Sequence, residues 1–526
     1  MASSSKITLH VHGKPSLIAF FLRTHNAGRL VQWKMEVLPH RGVYMQTSVN
    51  FLKRVGSLAV MVCLGQVCQA APPEPAAKAP QIKFTDYRLA NGLRVILSVD
   101  HTAPVVAVSV TYDVGSRNER EGRTGFAHLF EHMMFQGSQN VGKGEHMMLI
   151  QDNGGTMNGT TNQDRTNYFE SVPANQLDLA LFLEADRMKS LDISQANLDN
   201  QRAVVQEEKR QSYDNQPYSA MGETLQQLAY SSFGYRHTTI GSMADLNAAT
   251  LEDVRSFFKT YYAPNNAAIA VVGDFNEGEA KKKIEKYFGS IARQPAPPVP
   301  DLAETPIEGE KRKLLTDPLA RLTRYEMAYK TVNGDNPDYY ALSILSSILS
   351  GGRTSRLSGA IVEKRLALNA NASVGSGRGP ELFSFSGTLP PDGNVEELEK
   401  AFDAEIARIQ TEGVTEQEIQ RAKTQARARS LVGFGGGRGG GGFGGGLQSA
   451  LGRANALSQN AIFFNDPGRI NSQIGHLESV TAADVKRVAN QYLKKQNRVI
   501  VVVVPEPDPG MQQLNDPASS DHRGGN

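Results

Sequence analysis

A chain of 526 residues is too long for one hydrophobic core and predicts two to four domains. Its 40% hydrophobic and 21% charged composition is that of an ordinary globular protein. The formal charge of +2 is unevenly spread: residues 1 to 70 hold eight Lys or Arg against Glu36 alone, so the remainder is net acidic and offers no basic surface for nucleic acid.

The basic start reads as an address. From Met45 come two cations, Lys53 and Arg54, an apolar run from Val55 to Val67, and small residues at Ala70 and Ala71 before a Pro-rich stretch, the order of a secretory signal peptide. A run of thirteen residues is too short to span a bilayer comfortably, so no stable membrane span is expected in the mature chain. Residues 1–44 then form a non-native or targeting extension, 45–71 the signal peptide and 72–83 a Pro/Ala-rich linker. Export to a periplasm-like compartment is expected, with an organellar presequence over residues 1–44 as the competing reading. Cys63 and Cys68, the two cysteines, both lie in the signal segment, which removes disulfides and thiol catalysis from the mature protein.

A first domain is expected over 84–292. Asn91-Gly92 between apolar runs marks a hairpin, and "VVAVSVTYDVGS", 105 to 116, alternates as a strand with one buried face. "GFAHLFEHMM", 125 to 134, has the look of a buried helix. At about 100° per residue, Glu131 lies about 60° to one side of His128 and His132 about 40° to the other. All three project within one arc, where imidazoles at i and i+4 can close on a single Zn²⁺ and the carboxylate leans over the same ion. "NGGTMNGTTNQDRTNYFESVP" occupies 153 to 173. "LDNQRAVVQEEKRQSYDNQPY", 198 to 218, has helical period and holds the best candidates for a third ligand, Glu207 and Glu208. These face about 100° apart, and spacing does not choose between them.

"RQPAPPVPDLAETP" from Arg293 opens a Pro-rich linker, 293–312, and a second domain is expected over 313–505. The chain repeats itself there: "TLEDVRSFFKTYYAPNNAAIAVVGDF" from Thr250 and "TAADVKRVANQYLKKQNRVIVVVVP" from Thr481 align Asp253 with Asp484, Tyr261 with Tyr492 and Asn266 with Asn497. Each copy reads as a Thr-x-x-Asp capped helix and then a buried strand, so two homologous domains are expected. The second copy has no counterpart of the His cluster. "VGFGGGRGGGGFGGGLQ", 432 to 448, is a flexible Gly-rich loop, and 506–526 reads as a disordered tail.

Gly125 to Gly137, with His128, Glu131 and His132, resembles the inverted zinc motif of the pitrilysin family, which includes insulin-degrading enzymes and the mitochondrial processing peptidases, whose beta subunit is similar in type. The family's third ligand is a Glu in a helix resembling Arg-x-Val-Val-x-x-Glu. Arg202, Val204, Val205 and Glu208 fit it, which gives Glu208 the ligand role. The resemblance runs from about Phe84 to Pro505 and is nearest to two-domain bacterial members. It implies an α+β fold of two similar domains, each a mainly antiparallel sheet covered on one side by helices. It further implies a zinc metalloendopeptidase with one Zn²⁺ per chain, in which Glu131 activates the metal's water against peptides or unfolded segments. Asn158, Gly159 and Thr160 match the family's active-site edge strand, where substrate backbone pairs. Gly159 stands where the family often has Ala, which suggests a looser strand.

Two departures stand out. Gln201 occupies a position where many members carry Glu. Val362 and Asn369 replace an Arg and a Tyr that members use to close over a peptide. The expectation is a second family subunit supplying that pair, or a homodimer. The rival reading is a catalytically silent or chaperone-like clamshell that holds peptides without cutting them.

Overall fold

The computed structural model describes residues 81–432 and 446–507. The extension, the signal segment, most of the linker at 72–83, nearly all of the Gly-rich loop and most of the tail lie outside these. Among the described residues, no helix is long and apolar enough to cross a membrane.

Two sheets organise the chain. Strands β1 (Thr85–Arg88), β2 (Arg94–Val99), β3 (Val105–Tyr112), β4 (Thr156–Thr161), β5 (Thr166–Pro173) and β6 (Ala267–Gly273) form the first, in the order β1-β2-β6-β3-β5-β4. Strands β7 (Lys311–Asp317), β8 (Arg324–Lys330), β9 (Asn369–Val374), β10 (Leu382–Thr388) and β11 (Arg498–Pro505) form the second, in the order β7-β11-β8-β10-β9. Apart from the added β1 the two orders are the same, and each sheet has one parallel pair, β2 with β6 and β7 with β11. All other pairs are antiparallel. The fold is therefore the mainly antiparallel α+β arrangement expected. The Pro-rich stretch is free of regular structure until Lys311, where β7 begins, two residues inside the linker as read from sequence.

Six helices join the two halves or build the site: α1 (Phe126–Met133), α2 (Gln195–Lys209), α3 (Ser219–Ala229), α4 (Leu251–Tyr261), α5 (Ala450–Phe463) and α6 (Ala482–Tyr492). The repeat is visible in α4 and α6. Thr250 and Thr481 each close a capping box with an Asp three residues on. Asn266 Nδ2 donates to Tyr261 O at 2.9 Å, and its counterpart Asn497 donates to Tyr492 O at 3.0 Å.

Burial on both faces of β6 and β11 explains how the halves join. In β6, Ile269 and Val271 face the helices of their own half, while Ala268, Ala270 and Val272 meet Ala454 and Leu457 of α5 from the other half. In β11, Ile500 and Val502 face their own helices, and Val499, Val501 and Val503 meet Met221 and Leu225 of α3. Each sheet is thus covered on one side by its own helices, as expected, and on the other by a helix from its sister. A buried network sets α5 on its sheet: Thr111 Oγ1 donates to Ser458 Oγ at 2.8 Å, and Asn167 Nδ2 to Thr111 Oγ1 at 2.9 Å.

Leu457→Ala empties part of this shared layer and is expected to cost about 2–5 kcal/mol, read by chemical denaturation as one shifted transition. Two separated transitions, only one of them moved, would show halves that stand alone.

Candidate metal centre

Helix α1 is short and tightly seated. Its Phe126, Ala127, Leu129, Phe130 and Met133 are buried in the core, which leaves His128, Glu131 and His132 on the remaining arc. The buried carboxyl of Glu119, which burial pushes well above its usual range, holds the start by accepting from Gly125 N at 2.9 Å and Ala127 N at 2.7 Å. Gly125 has φ +86, and a Cβ there would meet Ile240 O at 2.7 Å. A side chain at 125 is excluded on both counts.

Opposite α1, the last turn of α2 brings in Glu208. Oε1 lies 3.6 Å from His128 Nε2, Oε2 lies 3.2 Å from His132 Nε2, and the imidazole rings stand 4.8 Å apart at 82°. Arms of about 2.0–2.1 Å in a tetrahedron put ligand atoms about 3.3 Å from one another. The donor set therefore fits a zinc ion in spacing and in kind. Glu207 points elsewhere, to Arg210 at 3.0 Å and Gln211 at 2.8 Å. Beyond Lys209 the helix widens into a π-turn over Arg210–Asp214, a distortion often found at functional sites.

Burial pulls the His128 imidazole down to about 4, with His132 adding to the effect, so it stays neutral and open to a metal. A hydrogen bond with His132 keeps the Glu208 carboxyl below its usual range, against its partial burial. Burial raises that of Glu131, against a 2.6 Å hydrogen bond that Oε2 accepts from Thr161 Oγ1.

Strand β4 is the free edge of its sheet and carries Asn158, Gly159 and Thr160. The hairpin closes by Asn162 N donating to Arg165 O at 3.0 Å, which turns the backbone groups of Thr160 toward β5 and those of Gly159 and Thr161 toward the open edge. Asn158 Oδ1 accepts from Gly159 N at 2.8 Å. A Cβ on Gly159 would lie 3.0 Å from Glu131 Cγ and 3.2 Å from Tyr168 Cδ1, so a side chain here would crowd Glu131. Arg165, buried, donates to Thr160 O at 2.7 Å and to Thr160 Oγ1 at 2.5 Å, and reaches Gln459 of α5 at 3.4 Å.

Thr161 and Arg165 escape a sequence reading because neither residue type signals a role until the hairpin register is known. Gln201 is buried, and its amide donates to Asn200 Oδ1 at 2.7 Å. Val362 ends a π-turn and Asn369 opens the exposed edge strand β9. A second trio, His146, Glu170 and Glu184, is also buried together, but Arg187 sits on Glu184 and already supplies a cation.

The family model described as Insulinase (Peptidase family M16) matches residues 94–242, and the one described as Peptidase M16 inactive domain matches residues 248–426. A relative named Zinc protease PqqE, from Helicobacter pylori, is 30% identical over 427 residues, covering 80% of this chain and 93% of its own length. A relative from Arabidopsis thaliana named for the beta subunit of the mitochondrial-processing peptidase is 24% identical, covering 82% of this chain and 80% of its own length. The crystal structure of a protease from Helicobacter pylori superposes with a TM-score of 0.75 at 29% identity, over 81% of this chain and 100% of that one.

Proposed function

Because this chain belongs to peptidase family M16, the pitrilysin family, we propose that it is a zinc-dependent endopeptidase acting on peptides or unfolded polypeptide segments. The observation that carries the reading is the convergence of His128, His132 and Glu208 on one point with Glu131 beside them. Those three residues hold one zinc ion, which when bound supplies a Lewis acid for water and for the scissile carbonyl. Glu131 takes the proton of the attacking water and delivers it to the leaving amine. Thr161 fixes one oxygen of that carboxylate, leaving Oε1 for the proton.

The peptide lies along β4 as an added strand, paired through the backbone of Gly159 and Thr161, with Asn158 and Thr160 flanking. Recognition of this kind reads main-chain groups, which suits unfolded segments. Export directed by residues 45–71 belongs to the same reading. Val362 and Asn369 favour a second element of it: a partner subunit of the same family, or a second copy, completes the closed site. The alternative, a subunit that holds peptides without cutting them, rests on the same two residues.

Glu131→Gln is expected to retain zinc and lose at least about a thousandfold in kcat on a quenched peptide, with wild-type cleavage abolished by a chelator and restored by zinc. Substantial residual cleavage by this variant removes Glu131 as the base. For the partner, turnover of the purified chain is measured with and without a family subunit bearing the Arg/Tyr pair; an unchanged rate at saturating partner, with the chain monomeric, refutes the need for one.

A further inference from the structure

A cleft of about 520 Å³ opens beside the metal centre, with His128, Glu208 and Thr161 on one wall and Tyr213, Glu223 and Gln226 among those on the others. Its position fixes which part of a peptide could enter. A chain paired along β4 and cut next to His128 and Glu208 would direct into it a side chain flanking the scissile bond.

The chemistry of the walls is one-sided. No Lys or Arg is among the described residues that line it, while hydroxyls, amides and the Glu223 carboxylate are plentiful. Gln226 Oε1 is shut off from solvent and meets no hydrogen-bond partner among the described residues. A buried acceptor left unmet costs about 1–3 kcal/mol, which a turn of the Gln226 amide toward a donor in the cleft would relieve. Glu223 accepts from Gln227 Nε2 at 3.1 Å along its own helix.

The walls are also built rather than incidental. Helix α3 is two-faced: Met221, Leu225 and Ala229 pack on the second sheet, which turns Gly222, Glu223 and Gln226 to the cleft. At its start, Tyr218 has φ +66, a left-handed conformation that an aromatic residue holds only under constraint. The constraint comes from the other half: Tyr218 N donates to Asp317 Oδ2 at 2.6 Å, and Tyr218 OH donates to Leu322 O at 2.8 Å. The second half thereby positions one wall of a cleft that the half carrying His128 and His132 opens.

We infer that this cleft is a specificity pocket for a hydrogen-bond-donating side chain next to the cleaved bond, with Gln226 and Glu223 as the residues that select it. The inference rests on the peptidase reading and deepens it. Apolar side chains such as Leu are disfavoured because they leave the acceptors unpaired, and acidic ones because they meet Glu223.

The test uses peptides identical except at one position, carrying Gln, Ser, Lys, Leu or Glu on either side of the cleaved bond, with products mapped by mass spectrometry. On one side of that bond, kcat/KM is expected to favour Gln, Ser or Lys over Leu and Glu by at least about tenfold. Gln226→Leu should shrink the Gln-to-Leu ratio at least about fivefold, and Glu223→Gln should relieve the discrimination against Glu. The Kd values of the same peptides on Glu131→Gln, which is expected to bind without cutting, should track the same order. A preference for Leu or Glu at both sides, or ratios that neither substitution moves, overturns the pocket. Polar preference in Kd with no cleavage by wild type would keep the pocket and remove the peptidase reading.

Discussion

Once five of the eight residues of α1 are committed to the core, only one arc of that helix remains to carry chemistry, and His128, Glu131 and His132 fill it. That arc cannot move without unpacking the core behind it, and Glu119 and Gly125 fix where the helix begins. The rest of the site is arranged around it. Strand β4 comes close because Gly159 has no Cβ to meet Glu131, and α2 ends where Glu208 can face both imidazoles before the π-turn carries the chain away. A rigid helix facing a rigid edge strand is the kind of support that holds reacting groups to within fractions of an ångström.

The duplication serves this site through packing. Each sheet has one face its own helices do not cover, and each half contributes the helix that covers the other's. The small side chains Ala268 and Ala270 let α5 sit close on β6, while branched Val499, Val501 and Val503 meet α3 on β11. The second half also reaches the site at Arg165 through Gln459 and at Tyr218 through Asp317 and Leu322. A half that shows no candidate metal cluster among the described residues thus contributes to the geometry of the half that has one.

Much of this architecture is legible in the residues, and the part that is not has a physical reason. The i, i+4 spacing of the histidines, the Thr-x-x-Asp caps and the Asn91-Gly92 hairpin are local signals, and each appears where local sequence places it. The choice of Glu208 over Glu207 needs a family pattern, because helical phase separates the two without saying which side the partner helix lies on. "AAIAVVG" reads as a buried strand, yet nothing within it says that one face awaits a helix about 190 residues away, since long-range pairing is not encoded in periodicity. The roles of Thr161 and Arg165 depend on hairpin register, and that of Tyr218 on a contact between halves.

Whether two imidazoles and the Glu208 carboxylate share one ion decides the functional reading, and X-ray absorption spectroscopy of the zinc-loaded chain tests it without recourse to activity. A shared ion predicts one zinc per chain with a first shell of nitrogen and oxygen at about 2.0–2.1 Å, the multiple-scattering pattern of two imidazoles, and loss of that bound zinc in His132→Ala and Glu208→Ala but not in Glu207→Ala. A shell without imidazole, or one that survives Glu208→Ala unchanged, would contradict it.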